Sequence, residues 1–387
     1  MIYLASLGLN EKQIGLLFTL TLIGDTAISL WLTTAADRTG RRRMLIAGSL
    51  LMVFAGVLFA VTENFLLLLF AATVGVISPS GYEVGPFLSI EQAALSQVVP
   101  NEQRTQVFAW YNLLGSFATA IGSLFGGGLT QSLQNLGVST LGSYRVIIVA
   151  YAAGGVMLGI LFSRLSRRIE VPHLPGHSPE GGRPFLGLHK SRRIVFRLSA
   201  LFSLDAFAGG FVLQSIVAYW FHVRFHLQPA ALGAIFFGAN VLAGLSSLTA
   251  ARVASRIGLV RTMVFTHIPS NILLMLVPVM PNLPLAIIVL LLRFSISQMD
   301  VPTRQSYTMA VVSPDERSAA AGITGIARTT GASLSPVIAG PLLARSSLLS
   351  LPFFLSGGLK IVYDLLLYRS FRKVKPPEEK NMNGETR

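Results

Sequence analysis

The chain has 387 residues, of which 52% are apolar and 12% charged, with a mean hydropathy of +0.62 and a formal net charge of +14. A soluble domain carries about 25% charged residues, so a soluble globular reading is excluded, and repeated uncharged stretches of about 20 residues predict several crossings of a bilayer. The positive charge is spread over alternate loops and the C-terminal tail, which marks topology and not a nucleic-acid surface, and the absence of cysteine excludes disulfides and thiolate metal ligands.

The first ten residues, MIYLASLGLN, have neither the basic region nor the cleavage pattern of a signal peptide. Beyond them hydropathy predicts eleven spans, over residues 13–35, 44–61, 65–90, 105–129, 144–164, 197–221, 229–251, 261–280, 284–310, 316–343 and 349–369. A backbone in lipid must satisfy its own hydrogen bonds. The long apolar runs show no period-two alternation, which rules out a barrel, so the fold is all-α. The run DRTGRRR, Asp37 to Arg43, joins the first two spans. With Arg104, Arg252, Arg256, Arg261, Arg317 and the tail (Arg369, Arg372, Lys373, Lys375) it lies on one side of the alternating loops. Glu11, Lys12, Glu63, the uncharged 131–143 and His222-Val223-Arg224 lie on the other. Lys and Arg collect in cytoplasmic loops, so the arginine-rich side is expected inside the cell, in a multi-pass protein of the plasma (inner) membrane. Residues 163–197 hold Pro172, Pro175, Pro179 and Pro184 among glycines and basic side chains, a composition that opposes a packed element. The expected layout is an N-terminal helical bundle over 1–163, a basic cytoplasmic linker over 164–196, a C-terminal bundle over 197–370 and a cytoplasmic tail over 371–387.

The halves also align with each other. At an offset of 213, EQAALSQVVPNEQR (Glu91–Arg104) lies over RQSYTMAVVSPDER (Arg304–Arg317), and GSLFGG (Gly122–Gly127) over SPVIAG (Ser335–Gly340). At 218, Ala36, Arg38, Gly40 and Arg43 fall on Ala254, Arg256, Gly258 and Arg261. The DRTGRRR run closely resembles the loop between the second and third helices of the major facilitator superfamily, G-x-x-x-D-R-x-G-R-R. Asp37, Arg38, Gly40, Arg41 and Arg42 match, and Thr33 replaces the leading glycine. The resemblance implies two parallel-repeat helical bundles with a substrate site between them near the midplane. It also implies six helices per bundle. With five spans before the linker and six after it, and with Leu4 to Gln13 resembling the outer loop after a first helix, the first helix is expected to be missing (5 + 6).

In the family, ion pairs of this loop hold one conformation together, and here the expected partner of Arg41 or Arg38 is Glu91. The stretch GSFATAIGSLFGG, Gly115 to Gly127, resembles the glycine-rich fifth-helix motif of drug–proton antiporters, with Ser123 in place of its proline. Gly115, Gly122, Gly126 and Gly127, with Pro336 in the other half, are the expected helix-packing positions. Ionisable groups inside spans are costly and usually functional. Arg328, Arg293, Asp300, Asp205, Asp25 and Glu83 are therefore the candidates for substrate or proton coupling. Arg293, Asp300 and Arg304 share a face and have a structural pairing as their plainer account. Lys360 and Asp364, four residues apart, are expected to satisfy each other. Trp110, Tyr111, Asn112, Phe211, Gln214, Tyr219 and Asn240 are candidate cavity residues, although aromatic side chains in spans more often pack or sit at the interface. His222 and His226 are expected to be solvated.

No nucleotide motif, no nucleophile–base constellation and no metal-spaced cluster appears, so no enzyme, no cofactor and no metal are expected. The expected function is alternating-access export of a small organic compound in exchange for protons, by a monomer whose other partner is membrane lipid. Transport of a small anion held by Arg293 and Arg328, and a non-transporting receptor on the same fold, are the rivals.

Overall fold

The structure of the protein, a computed structural model, describes residues 1–77, 87, 90, 91, 94, 95, 98, 101–166, 169, 170, 188, 190–313 and 316–374, without the side chains of 33–38, 101–106, 108, 109 and 318. Among the described residues the regular structure is helical and no strand occurs. In chain order, α1 is Ile2–Ser6, α2 Glu11–Thr39, α3 Arg41–Val61, α4 Phe65–Val74, α5 Asn101–Asn135, α6 Thr140–Ser163 and α7 Arg192–Gly210. Then come α8 Gln214–Phe225, α9 Pro229–Ile257, α10 Leu259–Leu276, α11 Leu283–Phe294, α12 Asp300–Ala310, α13 Arg317–Leu343 and α14 Leu351–Phe371. Eight of the described stretches are long and apolar enough to cross a membrane, those of α2, α3, α5, α6, α7 with α8, α9, α10 and α14. The chain is an all-helical, multi-pass membrane protein.

Local chemistry sets the helix ends. The Asn10 and Gln13 side chains each accept the other's backbone N–H (2.9 and 3.0 Å), a reciprocal cap that starts α2 two residues before the expected span. Asn64, Ser139 and Asn282 cap α4, α6 and α11 by accepting from backbone N–H groups. The α2–α3 and α9–α10 turns hinge on Gly40 (φ +107°) and Gly258 (φ +89°), left-handed positions that favour glycine. They occupy the same place in the internal repeat.

Two expected spans are each split in two. The 197–221 span breaks between Gly210 and Gln214. α7 ends there in Gly209-Gly210, weak helix formers, and a Cβ on Gly210 would stand 2.6 Å from the Ala332 carbonyl oxygen of α13. The 284–310 span breaks between Phe294 and Asp300, where Ser295 turns its hydroxyl onto the Leu292 carbonyl (2.7 Å) and competes with the helix ladder. Of the 65–90 span, α4 covers Phe65–Val74, and most of the rest, Glu83 included, lies outside the described residues.

The chain forms two compact units. The first contains Met1–His177, Leu213–Phe237 and Pro336–Leu349. Its core joins α2, α3 and α6 around Leu32, Leu45 and Phe162, with Phe87 against Phe162. The second contains Ser178–Val212, Gly238–Ser335 and Ser350–Arg387. Its core packs α7, α10, α12 and α14 around Phe202, Met263, Tyr307, Tyr363 and Phe371. Leu66, Leu114, Phe125 and Met157 stand exposed on long apolar helices, the surface that hydrocarbon would cover.

Candidate functional site

Charge is concentrated inside the second unit. Asp205 of α7 sits beside the break that ends that helix, and Asp300 opens α12 just past the other break, where a helix N-terminus favours an anion. Arg304, one turn on, donates Nη1 to Asp205 Oδ2 at 3.0 Å and to Asp300 Oδ2 at 3.2 Å. Lys360 of α14 donates to Asp205 Oδ1 at 2.7 Å. Asp364, one turn along, faces His267 of α10, with Nδ1 2.9 Å from its Oδ1, and accepts from Asn271 Nδ2 at 3.2 Å. His267 Nε2 lies 4.0 Å from Asp205 Oδ1. Asp205, Asp300, Asp364, His267 and Arg304 are all buried. Burying charge is tolerable only with partners of this quality. The guanidinium of Arg304 also stacks 5.5 Å over the Phe202 ring.

The first unit holds a different kind of site. A cavity of about 390 Å³ opens among α1, α2, α6 and α8. Leu17, Phe18, Phe59, Ile147, Ile148 and Phe236 give it apolar walls, and Thr21, Tyr144, Gln214 and Ser215 add polar groups. Gln214 Oε1 is buried without a hydrogen-bond partner among the described residues. A more polar cavity of about 410 Å³ adjoins it, lined by Gln134, Tyr219 and His222 among others. Tyr219 there donates to Glu11 Oε1 at 2.8 Å.

Two backbone contacts close the first unit at the end of α2 remote from Gly40. A Cβ on Gly15 would lie 2.4 Å from the Pro336 carbonyl oxygen, and one on Gly340 would lie 2.4 Å from that of Glu11. Likewise a Cβ on Gly127 would meet the Pro229 carbonyl oxygen at 2.4 Å, and one on Gly233 the Ser123 oxygen at 2.6 Å. The offset of 218 that carries Gly40 to Gly258 also carries Gly15 to Gly233, and the offset of 213 carries Gly127 to Gly340. The contacts α2–α13 and α5–α9 are thus repeats of each other. Thr19 of α2 reinforces the first by accepting from the Val337 N–H at 3.0 Å.

At the other end, the Glu170 carboxylate accepts from the backbone N–H of Arg41 (2.7 Å) and Arg42 (3.3 Å), the orphan donors at the start of α3. Arg41 reaches the Ile169 carbonyl with Nη1 at 3.1 Å. Glu91 accepts a hydrogen bond from Tyr111. The side chains of Asp37 and Arg38 lie outside the described residues.

Measured against the sequence, the cluster unites Asp205, Asp300 and Arg304. Lys360 and Asp364 are not each other's partners: α7 and α10 present Asp205 and His267 to them, and these closer charges take over the pairing that spacing alone implied. The Arg293 guanidinium lies 5.0 Å over the Phe294 ring. Arg328 is half-buried on α13 and Asp25 half-buried on α2. Of the α5 glycines, Gly127 makes the close approach, whereas a Cβ on Gly115, Gly122 or Gly126 would meet nothing within 4 Å. His226 is exposed at the left-handed end of α8, and His222 is half-buried with Nδ1 2.8 Å from the Leu227 carbonyl. Gln214 and Tyr219 line the cavities; Trp110 is exposed. Sequence reasoning missed His267, whose one signal was an ionisable ring inside an apolar run. It also missed Glu170, because nothing local announces a carboxylate that caps a helix 129 residues away.

Long apolar helices with repeat-related contacts, and a cluster of charge buried among α7, α10, α12 and α14, define a multi-helix membrane fold built on an internal repeat. The sequence profile of the Major Facilitator Superfamily matches residues 1–292 and 203–387, and the chain belongs to that family. It is 31% identical to the uncharacterized membrane protein YJR124C of Saccharomyces cerevisiae, over 99% of this chain and 91% of that one. The quinolone resistance protein NorA of Staphylococcus aureus is 25% identical over 34% of this chain and 32% of its own length. Among solved structures, the nucleoside transporter NupG superimposes with a TM-score of 0.71 at 15% identity, covering 95% of this chain and 92% of that one, a likeness of fold.

Proposed function

We propose that this transporter exports a small, largely apolar organic compound in exchange for protons, by alternating access between bundles 1–163 and 197–370. The observation that carries the reading is the buried cluster on Asp205: six ionisable groups in an apolar interior are costly, and such groups usually mark an ion pathway. Its basic members are neutralised by aspartates. They therefore offer little charge to an anionic cargo, which favours the organic-compound reading over the anion reading. The apolar cavity supports the cargo class, since ligand sites are mostly apolar with a few placed polar groups. The partial likeness to NorA supports export. The paired glycine contacts support a gate: backbones that meet this closely without side chains can separate as rigid helices. In this reading that end faces out of the cell, Gly40, Glu170 and the tail face in, and Asp37, Arg38, Arg41 and Glu91 belong to the opposite gate. Asp25, Glu83, Arg293 and Arg328 remain secondary coupling candidates, and the protein acts as a monomer in the plasma membrane.

The test is export from proteoliposomes loaded with pyranine, with ethidium as cargo. An imposed pH gradient should drive ethidium uphill, and an ethidium gradient should move protons the other way. Ethidium flux indifferent to the gradient, or stabilisation of the purified protein by organic anions and not by ethidium, would overturn it. A receptor that transports nothing would show neither flux.

A further inference from the structure

The charges joined through Asp205, with the neighbouring Asp364, do not balance among themselves. Asp205, Asp300 and Asp364 bring three negative charges, and Arg304 and Lys360 bring two fixed positive ones. A net unit charge in an apolar interior is expensive. The cluster is neutral when it holds one proton more, and His267 is placed to take it. Its Nδ1 is 2.9 Å from Asp364 Oδ1, and its Nε2 is 4.0 Å from Asp205 Oδ1. Asn271 donates an amide N–H to Asp364 Oδ2 at 3.2 Å, so that oxygen is held as an acceptor and the proton is directed to the imidazole side.

We propose that the His267–Asp364 pair is a one-proton binding site and that it carries the proton exchanged for cargo, the second half resting on the function proposed above. Loading forms an N–H bond on an imidazole lone pair and needs no other reactant. The groups that face the ring are Asp205 from α7 and Tyr363 and Asp364 from α14, and Asp205 is in turn held by Lys360 of α14 and by Arg304 of α12, which also pairs with Asp300. The neighbouring α11 carries Arg293 as its charged residue, and α10 itself carries Arg261 near its start. Lys360 and His267 approach the same oxygen, Asp205 Oδ1, at 2.7 and 4.0 Å. A charged imidazole competes with Lys360 there, and an empty one leaves α14 tied to α7. A purely structural histidine would keep one protonation state throughout.

The charge count yields a prediction that a lone histidine would not. Asp364→Asn leaves two aspartates against Arg304 and Lys360, so His267 should stay neutral although the ring is still present. Proton uptake by the purified full chain in detergent, compared between pH 9 and pH 5, should be about one proton per chain lower in Asp364→Asn than in the wild type. The charge-balanced His267→Gln/Asp364→Asn variant should show the same deficit, and it guards against a single variant that fails to fold. Uptake curves that superimpose on the wild type overturn the site. In proteoliposomes the ratio of protons to ethidium moved should fall at least tenfold in Asp364→Asn, and an unchanged ratio overturns the coupling role. If the wild type itself moves ethidium without protons, the proposed function falls and the coupling role with it, while the titration decides the proton site separately.

Discussion

The two units bury opposite things. The second gathers carboxylates, an arginine, a lysine and a histidine into two hydrogen-bonded groups that approach to 4.0 Å, whereas the first encloses an apolar cavity whose few polar groups include an amide oxygen without a partner among the described residues. A knot whose arginine and lysine are already held by its own aspartates has little to offer an anionic cargo, and its one unbalanced charge makes it responsive to a proton. A cavity with mostly apolar walls suits, in the reading proposed above, a largely apolar cargo. The division of labour proposed above is this difference, read as a mechanism, and it can be broken from either side.

The largest effect is expected at Arg304. Replacing it with Met leaves Asp205 and Asp300 buried beside each other with one partner removed, and breaking a buried pair in this way costs about 3–5 kcal/mol. Thermal unfolding in detergent should show the loss, and Arg304→Met/Asp205→Asn, which removes opposite charges together, should recover a large part of it. If the single and double variants lose equally, the knot is held by packing and not by charge. The next effect falls on the first unit. A Trp at Gly15 has no room against Pro336 and Gly340, and overpacking costs about 1–3 kcal/mol. That moves a two-state population by about fivefold to more than a hundredfold. The chain has no cysteine of its own, so a cysteine placed at Gln214 reports access to the cavity without background. Gly15→Trp should raise its labelling rate, and an unchanged rate would remove the glycine contacts from the gate.

Much of the fold was legible because lipid imposes it. Membrane-length apolar runs, alternating arginine loops and the DRTGRRR turn each reflect one physical demand, and the helices follow. The breaks at Phe211 and Ser295 were not legible, since a continuous apolar run reads as a continuous helix until a neighbouring helix presses on a glycine, as at Gly210, or a serine hydroxyl competes with the ladder, as at Ser295. The site was half legible. Asp205, Asp300 and Arg304 stood out as charges in spans. The partners of Lys360 and Asp364 did not, because i, i+4 spacing reports who shares a face and says nothing of what α7 and α10 bring to it. Gly15 and Gly233 were invisible as a pair: small residues are common in membrane helices, and only the backbone contact distinguishes these from Gly115 or Gly122.

A smaller effect is expected at the turn before α3. Gly40 takes φ +107°, and a Cβ there would also come within 3.2 Å of Glu170 Oε2. A side chain in the left-handed region costs about 1–2 kcal/mol, so Gly40→Ala should lower the unfolding midpoint by that equivalent. Gly258→Ala, with φ +89° at the repeat-related turn, should cost a similar amount, and a marked inequality would show that the Glu170 contact contributes beyond the backbone.

The smallest stability effect should come from the cavity wall, where it is also the most informative. Gln214 supplies a buried Oε1 that accepts from no described group. Gln214→Leu removes that orphan acceptor while keeping an apolar wall, so stability should hold or rise slightly. Its signature is selectivity. Cargo that donates a hydrogen bond into the cavity should see KM rise about three- to tenfold, the worth of one such bond, while a cargo without donors should be carried as before. Both cargoes should keep the wild-type proton ratio, because Gln214 lines the cavity of the first unit and the charged cluster lies in the second. If Gln214→Leu changed the proton ratio, the separation of cargo from charge drawn between the two units would fail at its simplest point.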